Sequence, residues 1–304
     1  MEYNTIIIGC GISGMSAALY LKRANIDFCI FEKEAPGGQL LRTSAVENYP
    51  GVLKTDGATL ATNLYQQMNA LQVPIYFEEI LSLEKQGEKF CVVTTGKSYY
   101  CKNIIYATGR QQKKLEIENE DNFIGKGISY CATCDGALYK GKDVAVIGAG
   151  NSAFEESLYL SNLCDSVTIF ARRDQFRADA SLIDQVKKKK NIKILTNKVV
   201  KELHGKDHLE SITVEDKEDA KERTYPVAGA FVYIGQIPKT SLLDSFPIAK
   251  ENGYIITNEK METNIPHLYA CGDCRKKELY QLVTASYDGV IAANEIIQKR
   301  DTND

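Results

Sequence analysis

The sequence predicts an α/β fold that contains two parallel-sheet units of nucleotide-binding size. Two observations lead to this prediction: a strand–helix–strand pattern occurs twice in 304 residues, and both strand-to-helix turns are rich in glycine. The first copy has a strand at residues 5–8, an apolar-periodic helix at 15–21 and a strand at 28–31. The second has a strand ending at Ile147, a helix through Leu158 and Leu163, and a strand at 167–170. Strands that alternate with helices in this way form parallel sheets.

Five further elements and two chain crossings complete the predicted fold. The remaining strands are expected at residues 92–95, 104–107, 231–234 and 268–271, and a final helix at 282–298. The polar, acidic segment 111–126 suits a crossing between domains, and the Gly235-Gln236-Ile237-Pro238 break suits a second one. At roughly 150 residues per domain, the length also predicts two domains.

Composition excludes several classes of protein. Hydrophobic residues make up 44% and charged residues 25%, which is globular composition and excludes a disordered chain. A net charge of −3 provides no field for a polyanion, so nucleic acid is not an expected partner. No apolar run reaches the roughly 18 residues of a membrane span, and Glu2 stands where a secretory signal carries positive charge. We therefore expect a cytoplasmic protein that does not interact with membranes.

The first glycine-rich turn, Gly9-Cys10-Gly11-Ile12-Ser13-Gly14, lies between a predicted strand and a predicted helix. In this setting Gly9 permits the tight turn, Gly11 lets a pyrophosphate approach the backbone and Gly14 lets the helix pack closely. The N-terminus of the helix then faces the phosphates. Counting 23 residues on from Gly9 reaches Glu32, whose carboxylate can bind an adenosine ribose. The alternative is a tight structural turn without a ligand.

The second turn, Gly148-Ala149-Gly150-Asn151-Ser152-Ala153, has a different charge at its ribose edge. Counting the same 23 residues reaches Ala171 rather than an acid, and Arg172, Arg173 and Arg177 follow. Guanidinium groups suit a phosphate on the ribose 2′ oxygen, so this site is predicted to prefer NADPH to NADH. The alternative is a set of exposed arginines at the end of a strand.

The third motif is Cys131-Ala132-Thr133-Cys134, followed by Asp135. The chain has nine cysteines, and an odd number on a long chain indicates that the thiols are kept reduced. A disulfide in such a protein is more often catalytic than structural. Zinc needs two further ligands, and only three histidines are available, none at a suitable spacing. A redox-active pair is the preferred interpretation, with Asp135 supplying or accepting the proton of thiol exchange. We therefore predict no metal site.

A hydride donor and a disulfide require a carrier between them. NADPH does not reduce a disulfide efficiently by itself, so a two-electron relay is expected in the first nucleotide site. FAD at that site explains why one chain carries two dinucleotide turns of different charge.

Taken together, the motifs resemble the bacterial low-molecular-weight thioredoxin reductases over nearly the whole chain. The matching segments are residues 9–14, 32–33, 37–40, 46–51, 107–109, 131–136, 148–153, 172–173, 177–178 and 272–273. The resemblance implies two Rossmann-like domains, with an NADPH domain at 112–239 inserted into a discontinuous FAD domain at 1–111 and 240–304. It also implies a homodimer whose substrate is thioredoxin or a thioredoxin-like protein.

The resemblance assigns roles to individual residues. The residues expected to contact FAD, beyond Gly9, Gly11, Gly14 and Glu32, are Ile12, Ser13, Lys33, Gly37, Gly38, Gln39, Leu40, Asn48, Thr108, Gly109, Gly272, Asp273, Gln281 and Leu282. Those expected to contact NADPH are Gly148, Gly150, Asn151, Ser152, Arg172, Arg173 and Arg177. Cys134 is expected to meet the flavin and Cys131 to attack the thioredoxin disulfide, which requires the inserted domain to rotate about its two crossings.

Three departures from the family pattern leave alternatives open. Ala171 replaces a usual histidine, Tyr280 replaces a usual arginine, and Cys271 and Cys274 bracket Gly272-Asp273. The first departure keeps a ferredoxin-driven enzyme of the same fold as one alternative; a nucleotide-binding redox sensor without turnover is the other. The second makes the flavin edge less cationic. We expect Cys271 and Cys274 not to form a second catalytic pair, because a disulfide there would constrain the cofactor loop.

Overall fold

The computed structural model describes residues 1–43 and 46–301, and the chain forms two compact units. The first unit comprises Met1–Gln111 and the chain from Pro238 onward; the second comprises Gln112–Ile237. The predicted crossing at 111–126 is too long. Leu115, Ile117 and Phe123 pack in the core of the second unit, so only the start of this segment is connecting chain.

The strands, in chain order, are β1 (Glu2–Ile8), β2 (Phe28–Phe31), β3 (Ile75–Tyr76), β4 (Ile80–Gln86), β5 (Lys89–Thr94), β6 (Ser98–Tyr106), β7 (Arg110–Gln112), β8 (Ile128–Ser129), β9 (Asp143–Ile147), β10 (Ser166–Phe170), β11 (Ile192–Leu195), β12 (Lys198–His204), β13 (Ser211–Asp216), β14 (Glu222–Pro226), β15 (Gly229–Val232), β16 (Gln236–Pro238), β17 (Lys250–Glu251), β18 (Tyr254–Ile255) and β19 (Leu268–Ala270). The α-helices are α1 (Ile12–Arg23), α2 (Gly57–Ala70), α3 (Glu120–Phe123), α4 (Ala132–Asp135), α5 (Asn151–Ser161), α6 (Ala180–Lys188) and α7 (Leu282–Asp301). Short 3₁₀ turns lie at Gly38–Arg42, Gly136–Tyr139, Ser241–Leu243 and Gly272–Cys274.

The main sheet of the first unit has the order β3-β2-β1-β6-β5-β4, and β19 also pairs with β6. Strands β1, β2, β3, β6 and β19 are parallel, whereas β4 and β5 run antiparallel to their neighbours. Burial along β6 follows this change: alternate residues are exposed in its first half, and its last four are all buried. A strand in a parallel sheet is covered on both faces, which explains the continuous apolar run at its end.

Helices α1 and α7 pack against each other and against this sheet. Met15, Ala18 and Leu21 of α1 and Ala292 and Ile296 of α7 share one buried cluster. The backbones come very close, since a Cβ on Gly289 of α7 would lie 2.0 Å from the carbonyl oxygen of Ser13. This packing fixes the N-terminus of α1 beside the end of β1.

The second unit has a five-stranded parallel sheet of order β11-β10-β9-β15-β8. Helix α5 ends at Ser161, so Leu163, expected within it, lies in the following turn. The unit also contains an antiparallel sheet, β12-β13-β14, which the sequence pattern did not predict. Its exposed face carries charges such as Lys201 and Arg223, which mask the apolar residues that alternate with them.

No helix within the described residues is both long enough and apolar enough to cross a membrane.

Candidate active site and cofactor-binding residues

The first glycine turn joins β1 to α1 and admits no side chains at two of its glycines. Gly9 has a φ of +105°, and a Cβ there would lie 2.5 Å from the carbonyl oxygen of Ala107. A Cβ on Gly14 would lie 2.0 Å from the carbonyl oxygen of Gly9. Gly11 differs, because a Cβ there would meet nothing within 4 Å. The turn is therefore closed toward the sheet and open at Gly11, the position expected to approach a pyrophosphate.

The N-terminus of α1 is not capped by a side chain. Gly11 is the N-cap residue, it makes no side-chain capping bond, and the first turn contains no acid. Unpaired backbone N–H groups with the positive end of the helix dipole favour an anion. The Ser13 hydroxyl donates to Cys271 Sγ over 2.9 Å, so its side chain is engaged inside the protein. Ile12 is buried beside Leu40, which leaves the backbone of both residues for a phosphate.

Glu32 closes the turn from the end of β2. Its Oε2 accepts from the backbone N–H of Cys10 over 2.8 Å, and its Oε1 accepts from that of Glu34 over 2.9 Å. The carboxylate is thus fixed next to the turn, where the sequence predicts contact with a ribose. The Lys33 ammonium lies 3.4 Å from Glu79, so its charge is paired on the surface.

The segment predicted to lie against the flavin packs on the glycine turn. Gly37 donates its N–H to the carbonyl oxygen of Cys10 over 2.8 Å, and a Cβ on Gly38 would lie 3.4 Å from Gly11 Cα. Gln39 donates its amide to the carbonyl oxygen of Arg110 over 2.6 Å. These contacts bring residues from three parts of the sequence to one edge of the sheet.

Three other predicted FAD contacts are held by polar bonds. The Asn48 amide donates to Gln281 Oε1 over 3.1 Å, which joins the loop after residue 46 to the start of α7. The Thr108 hydroxyl donates to the carbonyl oxygen of Lys239 over 2.6 Å, and the next residue, Gly109, has a φ of +65°. Leu282 packs with the small apolar cluster under this loop.

Gly272 and Asp273 lie in a network of buried charges. Asp288 accepts from the backbone N–H of Gly272 over 3.1 Å and from Arg275 Nε over 3.0 Å. Asp273 Oδ2 lies 3.0 Å from an Arg110 guanidinium nitrogen, and its Oδ1 lies 3.3 Å from Lys277 Nζ. Sequence reasoning did not identify Arg110 or Lys277, because neither belongs to a local motif.

These residues provide separate polar contacts of the kinds that a dinucleotide needs. Within the described residues, four buried side-chain polar atoms have no hydrogen-bond partner, and Asp273 Oδ1 and Arg110 Nε are two of them. Both atoms are closed to solvent inside the protein, so a ligand can reach only the exposed remainder of the Asp273 and Arg110 side chains, each of which is 18% exposed. The open backbone at Gly11 and the uncapped α1 add an anion site in the same unit. The first unit therefore offers an anion site beside a carboxylate, which is what the pyrophosphate and ribose of a dinucleotide such as FAD require.

The second glycine turn repeats the geometry of the first. A Cβ on Gly148 would lie 2.2 Å from the carbonyl oxygen of Tyr233, whereas one on Gly150 would meet nothing within 4 Å. Ala153 is fully buried at the third motif position. Gly150 caps α5 without a side-chain bond, and Ser152 is exposed in the first turn of this helix. The same open, uncapped helix start is therefore available to a second dinucleotide.

The predicted arginines lie at the edge of this turn. Arg172 and Arg173 are exposed just after β10, which pairs with β9 directly before the turn. The backbone N–H of Arg177 donates to the carbonyl oxygen of Ala149 over 2.9 Å. The Asn151 amide donates to Asp179 over 3.0 Å, so this side chain fixes the arginine loop rather than facing a ligand.

The cysteine pair forms a disulfide at the start of the short helix α4. The Cα atoms of Cys131 and Cys134 are 5.3 Å apart, and the backbone N–H of Cys134 lies 3.2 Å from Cys131 Sγ. Cys131 is 7% exposed, whereas Cys134 is an exposed residue. One sulfur of the pair is therefore presented outward within this unit.

Asp135 is oriented by hydrogen bonds on the same short segment. Its Oδ2 accepts from the Ser129 hydroxyl over 2.6 Å, and Ser129 Oγ accepts from the backbone N–H of Cys131 over 3.1 Å. The Tyr233 hydroxyl accepts from the backbone N–H of Ala132 over 2.7 Å. The disulfide thus has a carboxylate held one residue away, and a serine and a tyrosine fix the backbone around it.

Two further polar groups near this segment were not identified from sequence. Glu156 on α5 is buried, and burial raises its pKa to about 7, with the charge of Glu155 adding to the shift. Its Oε2 and Thr133 Oγ1 are the other two buried polar atoms without a hydrogen-bond partner in the described residues. The only sign of Glu156 in the sequence is an acidic residue at a helix position that also faces apolar residues.

The other seven cysteines are free and buried. Burial raises the pKa of Cys10 to about 12 and that of Cys164 to about 11. Cys271 and Cys274 are fully buried, and burial raises the pKa of both thiols well above the usual range. The described residues contain no group of three or more histidine, cysteine, aspartate or glutamate side chains arranged to hold a metal ion.

Comparison with known proteins identifies the family. A family model described as pyridine nucleotide-disulphide oxidoreductase matches residues 3–289. The chain belongs to this family. It is 39% identical over 296 residues to a thioredoxin reductase of Mycoplasma genitalium, covering 97% of this chain and 94% of that protein.

Solved structures agree with this assignment. A thioredoxin reductase of Lactococcus lactis in the FR conformation is 35% identical, with a TM-score of 0.91 and coverage of 97% of this chain and 98% of that one. A thioredoxin reductase of T. acidophilum is 31% identical, with a TM-score of 0.90 and 99% coverage of both chains. The predicted family resemblance and the predicted α/β fold with Rossmann-like sheets are confirmed.

Thiol labelling checks the burial of the free cysteines. In the reduced, folded protein at neutral pH, we expect iodoacetamide to label the exposed Cys134 within minutes and the seven buried cysteines outside the pair far more slowly. A thiol with a pKa of about 12 is only about 10⁻⁵ ionised at pH 7, and the thiolate is the reactive form. Mass spectrometry of digests measures the labelling. The Cys131→Ser, Cys134→Ser double variant is the control, and fast labelling of Cys271 or Cys274 would contradict the prediction.

Proposed function

We propose that this oxidoreductase reduces the disulfide of thioredoxin, or of a thioredoxin-like protein, with electrons taken from NADPH. The observation that carries the proposal is the Cys131–Cys134 disulfide on a four-residue helix, with Cys134 exposed and Asp135 held beside it. The names of the relatives support the choice of thioredoxin as substrate. We also propose that the enzyme is cytoplasmic, as the sequence pattern predicts, and that it forms a homodimer, as the resemblance implies.

Each unit contributes one part of the chemistry. Bound FAD would supply the two-electron carrier between NADPH and the disulfide. Gly11 and the start of α1 bind its pyrophosphate, Glu32 binds its ribose, and Asp273 with Gln281 positions its polar chain and ring. Gly150 and the start of α5 bind the NADPH pyrophosphate, and Arg172, Arg173 and Arg177 bind its 2′-phosphate.

The cysteine pair and Asp135 carry out the thiol chemistry. Reduction of the disulfide breaks one S–S bond and needs two electrons and two protons to give two thiols. One proton arrives with the hydride, and Asp135 delivers the second from solvent while Ser129 keeps its carboxylate oriented. Cys131 then loses its proton to Asp135 and attacks the disulfide of the protein substrate, and Cys134 resolves the mixed disulfide. The pair is oxidised again, and the two protons end on the two thiols of the substrate.

Anaerobic mixing of the purified yellow protein with NADPH tests the electron donor. We expect rapid bleaching of the flavin absorbance, followed by stoichiometric reduction of thioredoxin. NADH at the same concentration is the control and should bleach the flavin far more slowly. A flavin that stays oxidised with NADPH and bleaches only with reduced ferredoxin would overturn the NADPH assignment and support the ferredoxin-driven alternative.

Coenzyme choice is expected to depend on the exposed arginines. Arg172→Ala with Arg173→Ala should lower kcat/KM for NADPH by about two to four decades, because each of the two charge-assisted contacts contributes roughly 1.5 to 3 kcal/mol. The value for NADH should change little, since NADH has no 2′-phosphate. Lys193→Ala, on the neighbouring strand β11, is a matched control for the loss of a positive charge. An unchanged ratio of the two kcat/KM values would contradict the phosphate assignment.

The two cysteines are expected to have different tasks. In Cys131→Ser the remaining Cys134 should interact with oxidised flavin and produce a thiolate charge-transfer band. In Cys134→Ser the band should be absent, and Cys131 should trap thioredoxin as a mixed disulfide, visible on a non-reducing gel. Both variants should accept hydride from NADPH and fail to turn over thioredoxin. If Cys134→Ser shows the band and Cys131→Ser forms the trap, the assigned roles are reversed.

A further inference from the structure

The segment that carries the disulfide leaves the edge of the five-stranded sheet in the second unit. We call residues 129–135 the redox segment; it begins in β8, the last strand on one side of this sheet. Two apolar clusters cover the two faces of the sheet. Residues 145 and 147 of β9 belong to one cluster, and residues 144 and 146 of the same strand belong to the other. Because successive residues of a strand point to opposite faces, each cluster marks one face of the sheet.

Tyr130 anchors the redox segment on the first face, where its ring packs against the cluster. Its hydroxyl donates to the carboxylate of Glu120, which is 3% exposed. The same carboxylate accepts from the backbone N–H groups of Leu115 and Glu116, each over 3.0 Å. The residue directly before Cys131 is therefore tied to a fixed, buried point of the unit.

Tyr233 anchors the segment on the opposite face, where it shares the second cluster with Ala132. Its hydroxyl oxygen accepts from the backbone N–H of Ala132 over 2.7 Å, and Ala132 is fully buried. The backbone of Tyr233 is fixed as well, because its N–H donates to the carbonyl oxygen of Ile147 over 2.7 Å. The residue directly after Cys131 is therefore tied to the sheet.

The effect of these two bonds differs between the two states of the cysteine pair. In the disulfide the S–S bond also constrains the segment, so losing a hydrogen bond leaves a buried polar group that cannot reorganise. In the dithiol the segment can shift and recover part of the loss. Buried polar groups without a partner are unfavourable, so removing either bond disfavours the disulfide more than the dithiol.

We propose that Tyr130 and Tyr233 are positioning residues for closure of the Cys131–Cys134 pair: by holding the backbone on both sides of Cys131, they keep the two thiols at a high effective concentration. The proposal rests on the proposed thiol chemistry. In closure, Cys134 loses its proton and attacks Cys131 Sγ in the mixed disulfide, and the sulfur of the substrate leaves and takes up a proton. The Cys131–Cys134 bond replaces the bond to the substrate, so no further oxidant is needed.

Equilibration in a thiol buffer tests the proposal without NADPH or thioredoxin. The purified protein is equilibrated with a fixed ratio of reduced to oxidised dithiothreitol, quenched in acid, unfolded and alkylated. Mass spectrometry of the tryptic peptide 127–140 then gives the ratio of dithiol to disulfide. Tyr233→Phe should raise this ratio about tenfold, which is about 30 mV for a two-electron couple, because a buried backbone N–H loses its acceptor.

A second variant tests the other face. Tyr130→Phe should raise the ratio about threefold, a smaller change because the Glu120 carboxylate keeps its two backbone donors. The double variant should raise it about thirtyfold, since the two bonds lie on opposite faces of the sheet and act independently.

Tyr139→Phe is the matched control. Tyr139 follows the redox segment and shares the buried cluster of Tyr233, but its hydroxyl makes no hydrogen bond within the described residues. Its removal should leave the ratio unchanged. An unchanged or lower ratio in Tyr233→Phe or in Tyr130→Phe, or an equal rise in Tyr139→Phe, would overturn the proposal. If Tyr233→Phe does not fold, Tyr130→Phe decides.

Turnover separates positioning from a general loss of structure. With NADPH and thioredoxin, Tyr233→Phe should accumulate the mixed disulfide on a non-reducing gel although both cysteines are present, and flavin bleaching by NADPH should be as fast as in the parent. Slower bleaching without a mixed disulfide would indicate a structural defect and overturn the assignment. A parent chain that does not reduce thioredoxin overturns the proposed function, and the ratio in thiol buffer still decides on the two tyrosines.

Discussion

The close approach of backbone to backbone around the first glycine turn is the constraint on which the first unit depends. Gly9 lies against the Ala107 carbonyl, Gly14 against the Gly9 carbonyl and Gly289 against the Ser13 carbonyl, each too close to admit a Cβ. Strands β1 and β6 and helices α1 and α7 can therefore meet at one point. The uncapped start of α1 lies at this point, so the packing that these three glycines permit holds the open backbone of Gly11 where an anion can approach it.

Close packing at this point buries polar groups. Charged side chains in and beside the loop after β19 pair with them. Asp288 is almost fully buried, and it accepts from the Gly272 backbone, from Arg275 and from Lys277. A buried carboxylate is tolerated only when it is paired in this way. The pairing fixes the loop that carries Asp273, so the position of a residue assigned to the cofactor depends on a carboxylate fifteen residues further along the chain.

The features that could be predicted from the sequence are those set by residues close together in the chain. The glycine turns, β1, β2, α1 and α7 follow from short-range periodicity and from positions that only glycine can occupy. The partners of Arg110 and Ser13 could not be predicted, because Asp273 is 163 residues from Arg110 and Cys271 is 258 residues from Ser13. Strands β12–β14 were missed for a different reason: their charged outer face weakens the period-two pattern that identifies a strand.

The two glycine turns are closed in different ways, and the difference sets their charge. In the first, the closing bond comes from a side chain: the Cys10 N–H donates to the Glu32 carboxylate, which fixes a negative charge at the ribose edge. In the second, Ala171 has no side chain to do this, and the backbone N–H of Arg177 closes the turn on the Ala149 carbonyl. Because the backbone makes this bond, the guanidinium of Arg177 is not needed for closure and stays exposed. A ribose with free hydroxyls suits the first edge, whereas a ribose with a 2′-phosphate would be repelled there and attracted at the second.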